Sequence, residues 1–158
     1  MRWDLVDTFE ILKKGVHARA RKKLTGSEDF FGEHFPGKPR VPQPLLLEMI
    51  AQTGGVLLGV GCDFKKEVVL AKISGARFSR SVTPPCEFVI EAEILEEREQ
   101  GGRVAGRVKL RGEKVAEAEI MLAMIDGLEK GKKQIIFNEG FLKHYDIYNV
   151  VKKSENIN

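Results

Sequence analysis

The chain has 158 residues, of which 42% are hydrophobic and 31% charged, a balance that fits one globular domain with its own core and excludes a disordered segment. Lysine and arginine number 26 against 23 acidic residues, and a net charge of +3 is too small to mark a nucleic-acid binder. At this length a deep active site needs dense use of the chain or a second subunit.

The two cysteines, Cys62 and Cys86, fit no metal or redox spacing. No long apolar run follows Trp3 at the start of the chain, so a cytoplasmic protein with both thiols free is expected. Residues 41–61 are the best candidate for a membrane span, but Glu48, two early prolines and a glycine-rich end argue against one.

In chain order, residues 3–14 read as a mixed apolar strand ending at a turn on Gly15. Residues 16–23 then alternate, with His17, Arg19, Arg21 and Lys23 on one side and Val16, Ala18 and Ala20 on the other, which predicts a half-buried strand. Residues 25–44 are rich in glycine, proline and small polar residues but carry Phe30, Phe31 and Phe35. They predict a long ordered loop, the kind of segment where chemistry tends to sit. From Pro44 to Gly59 or Gly61 the chain is apolar nearly all round, with proline at a favourable helix start, and predicts a helix buried on most sides.

Strands are expected at 68–73, continuing or resuming at 76–80, and at 88–95 after a break at Pro84-Pro85. A tight turn is expected at Gly101-Gly102, a strand at 103–110, a turn at Gly112 and a last strand at 115–124. The last three alternate as an antiparallel meander with one apolar face. The fold class is therefore α+β, and the sheet has to curve strongly to wrap so long a helix. Beyond it, 135–137 is expected as a short strand and 139–153 as an amphipathic helix packed through Phe141, Leu142, Tyr145, Tyr148 and Val151, with 154–158 frayed. Residues 1–125 form the domain, and 126–158 an extension that packs on it or on an interface.

Two residues stand out chemically. His34 lies in the run Phe30-Phe31-Gly32-Glu33-His34-Phe35-Pro36-Gly37-Lys38-Pro39, where a neutral imidazole can take up a proton; a structural histidine is the alternative. Glu48 is the only charge between Arg40 and Asp63. A carboxyl in such a helix suits a general acid, and pairing with a basic residue or capping a neighbour is the alternative. Gln52, one turn on, can orient Glu48 or a water. His17 and His144 read as surface residues. Together His34 and Glu48 permit elimination of water from a 3-hydroxyacyl thioester, with no metal and no cofactor. Backbone N–H groups near the helix start are available to polarise the carbonyl. Phosphate-cradling and dinucleotide-binding glycine patterns are absent, as is a Gly-x-Ser-x-Gly elbow.

The run His34-Phe35-Pro36-Gly37-Lys38-Pro39, followed by Pro42, Leu45, Glu48, Met49, Ala51 and Gln52, resembles the 3-hydroxyacyl-acyl-carrier-protein dehydratases of fatty acid synthesis. Leu5-Val6-Asp7, Ala76-Arg77-Phe78 and the Val82-x-Pro84 turn extend the likeness over about residues 3–125. The resemblance implies the hotdog fold, a curved antiparallel sheet wrapped round one long central helix. It implies a homodimer or trimer of dimers in which His34 of one subunit is the base and Glu48 of the other is the acid or holds the water. Phe35, Gly37, Gln43 and Gln52 are then substrate-binding or orienting residues, and acyl carrier protein is the partner that brings the substrate. The chain differs from the family in Glu33, where glycine is usual, and in Gln43-Pro44, where Gly-Val is common. Two further readings stay open on these residues: a hotdog thioesterase, and a non-catalytic acyl-binding or partner subunit.

Overall fold

The computed structural model describes residues 4–126 and 136–158. In chain order these hold β1 (Thr8–Lys13), β2 (His17–Leu24), α1 (Gln43–Gly61), β3 (Glu67–Phe78), β4 (Cys86–Arg98), β5 (Gly101–Leu110), β6 (Glu113–Ile125), α2 (Glu139–His144) and α3 (Ile147–Ser154). The strands form one sheet of order β1-β2-β4-β5-β6-β3, with every neighbour antiparallel.

The sheet wraps α1. Its inner face buries Ala18, Ala20 and Leu24 of β2, Phe88, Ile90 and Ala92 of β4, Val104 and Val108 of β5, and Ile120 and Leu122 of β6. Against them α1 buries Leu46, Met49, Ile50, Leu57 and Leu58, each worth roughly 1.5–3 kcal/mol relative to exposure. A helix satisfies its own backbone, so it can be enclosed this way. Thr53 is fully buried and satisfied too, its Oγ1 donating to the Met49 carbonyl at 2.8 Å. The register shifts between Phe9 and Ile11, Leu70 and Lys72, Ile73 and Gly75, and Ile94 and Glu96 supply the bends that closure requires. On the outer face Glu91 accepts from Lys109 Nζ at 2.9 Å and lies beside Arg19 and Arg107, which accounts for the one-sided basic pattern of β2. By length and composition α1 could cross a membrane, yet most of it is buried inside this sheet.

The structure corrects several expectations. The turn between β4 and β5 is Glu99-Gln100, not Gly101-Gly102, since Arg98 pairs with Gly101. Gly101 instead opens β5 at φ +154°, where a Cβ would lie 2.2 Å from the Leu122 carbonyl oxygen. The tail holds two helices rather than one, because Asp146 takes a left-handed conformation at φ 52° between α2 and α3. Tyr148 is exposed instead of packed. Of the strand expected at 135–137, Ile136 and Phe137 form a bend, and residue 135 lies outside the described residues. Ser154 is fully buried rather than frayed: its Oγ accepts from the Leu12 N–H at 2.9 Å and donates to the Val150 carbonyl at 2.6 Å.

The two sheet edges are unlike. α3 covers β1 through Ser154, and Lys13 Nζ reaches the Ile157 carbonyl at 2.6 Å. Among the described residues β3 is open, with Val69, Leu70 and Ile73 at 37%, 42% and 44% exposure.

Helix and sheet approach most tightly where Gly106 faces Ile50, for a Cβ at 106 would stand 2.2 Å from Ile50 Cγ2. Gly106→Ala is expected to cost about 1–3 kcal/mol by overpacking. Urea unfolding should show this as a lower midpoint at unchanged slope.

Candidate active site

The loop before α1 is built by its own hydrogen bonds. Glu28 starts it, accepting the Thr25 and Gly26 N–H groups at 2.8 Å each. Phe31 is its buried anchor, with Phe30 tilted against it at 4.5 Å. His34 N–H then donates to the Phe30 carbonyl at 3.1 Å, and Arg40 N–H donates to the His34 carbonyl at 3.0 Å. Between them the chain reverses at Phe35-Pro36-Gly37-Lys38, where Lys38 N–H donates to the Phe35 carbonyl at 2.9 Å and Gly37 takes φ +70°. Proline followed by glycine is what such a turn asks for, so Gly37 shapes the loop. Val41 N–H ties the exit to the Val82 carbonyl at 2.9 Å.

This scaffold fixes the His34 ring. Nδ1 lies 3.1 Å from the Arg40 carbonyl oxygen, which can only accept, so Nδ1 carries a proton. In the neutral ring the lone pair is therefore on Nε2. The Phe35 ring stacks on the imidazole at 4.1 Å and 26°, and is itself half exposed. Gln43 is exposed at the first position of α1, and no side chain caps that helix start.

Glu48 and Gln52 make a second polar unit one helical turn apart. Gln52 Oε1 accepts the Leu5 N–H at 3.2 Å, which leaves its amide NH2 to donate to Glu48 Oε1 at 3.0 Å. The Leu5 N–H can only donate, so it sets the amide orientation, and the amide in turn holds the carboxyl. Both residues line a cleft of about 660 Å3, walled by apolar groups such as Val6, Ala51, Val56 and Val68 and by the polar Asp4, Asn138 and His144. His34, Phe35, Gly37 and Gln43 are not among the cleft's lining residues. A single chain thus brings Glu48 and Gln52 together, and separately gathers His34, Phe35 and Gly37.

The opposite wall comes from the extension: Phe137, Phe141, His144 and Tyr145 line the same cleft. The sequence marks the extension as a segment that packs on the domain or an interface, but not which of its residues face the cleft; its signal is the spacing of aromatic residues at 137, 141 and 145. Cys86 is no competing nucleophile, since burial, with the Glu28 charge adding, pushes its thiol up to about 11.

A curved antiparallel sheet closed on one apolar helix, with an acidic residue of that helix facing a cleft, defines a hotdog-fold protein with an acid group in its pocket. A conserved protein of Pseudomonas aeruginosa shares this fold at a TM-score of 0.61 and 17% identity, over 75% of this chain and 87% of its own. Sequence comparison narrows the class. The family described as FabA-like domain matches residues 3–119, and the chain belongs to that family. The 3-hydroxyacyl-acyl-carrier-protein dehydratase FabZ of Thiobacillus denitrificans is 38% identical over 126 residues, which is 77% of this chain and 87% of that protein. FabZ of Proteus mirabilis is 42% identical over 122 residues, 75% of this chain and 81% of that protein.

The turn that launches the His34 loop depends on charge. Desolvation pushes the Glu28 carboxyl up, but the N–H groups of Thr25 and Gly26 outweigh it and hold the carboxyl below the ordinary range. A lowered folded value means stabilisation that is present above the ordinary carboxylate range and lost as pH falls through the lowered value. Wild type should therefore melt above Glu28→Gln at neutral pH. The gap should close below about pH 4 in a pH series of thermal denaturations.

Proposed function

We propose that the protein removes water from a 3-hydroxyacyl thioester carried on acyl carrier protein, giving the trans-2-enoyl thioester of fatty acid biosynthesis. The relatives' shared activity and the retention of both His34 and Glu48 support this reading. His34 Nε2 takes the proton from C2, that electron pair becomes the C2–C3 double bond, and the C3–O bond breaks. Glu48 gives its proton to the departing hydroxyl, which leaves as water. The fixed Nδ1 proton presents Nε2 as the base, and Gln52 holds the acid in place. No cofactor enters the electron balance.

The observation that carries the two-subunit form of this reading is the separation of the groups: Glu48 faces the cleft and His34 does not. The cleft is rimmed by Val68 and Leu70 at the start of β3, the open edge. An exposed apolar edge strand invites pairing with a second chain. A second copy at that edge would lie along the cleft, where its His34 loop can complete the site. The working protein is then at least a homodimer. Both cysteines are free, in keeping with a cytoplasmic setting.

Hydration of crotonyl thioester, the reverse reaction, tests this. His34→Ala and Glu48→Ala are each expected to lose about 10²–10⁴ in rate. Mixing and reassociating equal amounts of the two inactive variants should restore about a quarter of wild-type activity, since half the dimers carry one intact site of two. No recovery in verified mixed dimers refutes the shared site. Thiol release without hydration would mark a thioesterase.

A further inference from the structure

The extension lies outside the residues 3–119 that the family accounts for, yet it builds one wall of the Glu48 cleft. It is held there firmly. Ile136 N–H donates to the buried Glu67 carboxylate, at 3.2 and 3.3 Å from its two oxygens. Asn138 Oδ1 caps α2 by accepting the Phe141 N–H at 3.0 Å. The Tyr145 hydroxyl donates to Asp4 and lies 3.0 Å from the Val6 carbonyl. Between these anchors runs an unbroken series of ring contacts: Phe64 to Phe137 at 5.0 Å, Phe137 to Phe141 at 5.6 Å, Phe141 to Tyr145 at 4.9 Å and Tyr145 to Phe9 at 5.4 Å.

The cleft is polar at Glu48 and Gln52 and runs along α1 to Gly55 and Val56, about 12 Å from Glu48. One turn further, Gly59 lies so close to Phe137 that a Cβ there would meet its ring at 3.1 Å. An acyl tail whose C3 sits at Glu48 and which follows α1 therefore runs into Phe137 and Phe141.

We propose that the C-terminal extension is the chain-length selector of this site, with Phe137 and Phe141 forming the stop against which the acyl tail ends. This rests on the reading of Glu48 as the acid at C3. Short acyl groups do not reach the stop and are indifferent to it; long ones have to displace it. Phe141 is the residue to vary, because Phe137 is buried in the core whereas Phe141 is only partly buried.

The test uses the full-length protein with crotonyl, trans-2-octenoyl and trans-2-tetradecenoyl thioesters. For Phe141→Ala, kcat/KM for the tetradecenoyl substrate relative to crotonyl should rise about tenfold. For Phe141→Trp the tetradecenoyl substrate should lose about tenfold while crotonyl and octenoyl, whose tails end short of the stop, stay within about threefold. An unchanged ratio in both variants, or a parallel fall for all three substrates, overturns the selector. A wild-type protein that hydrates none of the three strikes the reading of Glu48 instead. Calorimetric binding of butyryl, octanoyl and tetradecanoyl coenzyme A then decides the selector by itself. Affinity that depends on length and shifts in the Phe141 variants upholds it; affinity blind to both overturns it.

Discussion

The enclosure of α1 by the sheet is the constraint from which the remaining structure follows. A 19-residue helix with one charge has to be removed from water on nearly every side, and a flat sheet can cover only one of them. The bulges in β1, β3 and β4 bend the sheet round it, and the alanines of β2 and β6 and Gly106 of β5 let the backbones come close. The small residues on the sheet and the branched residues on the helix are two halves of one packing solution. Neither makes sense alone.

That enclosure also defines what a polar residue on α1 can do. Glu48 and Gln52 sit where the wrapping is incomplete, beside the start of β3, and they are satisfied by each other and by the Leu5 N–H. The carboxyl is held by a neutral amide. The histidine is held in a comparable way, by a backbone carbonyl that fixes its tautomer. Both groups take their orientation from partners that carry no charge.

Much of this was legible in the residues. The largely apolar run of α1 and the period-two alternation of β4 to β6 each report a local rule, and each element formed where its rule placed it. Misreadings arose where distant partners decide. Val69, Leu70 and Ile73 are apolar yet exposed, because β3 has a strand neighbour on one side only. The helical period runs through Asp146 without a break, so nothing local announced the left-handed residue there. Ser154 looked like a frayed polar end, and only its partner 142 residues away makes it a buried anchor. The aromatic wall of the cleft was hidden for the same reason: Phe137 and Phe141 announce burial, but not against what.

Ser154 has one more effect. By occupying the Leu12 N–H it fastens α3 along β1 and covers that side of the sheet, whereas β3 is the uncovered margin among the described residues. A protein with two receptive margins can stack head to tail without limit, as fibres do. With one margin covered, repeated strand addition lacks one of the two margins it needs. The last turn of a short helix thus takes one edge N–H out of reach of any incoming strand.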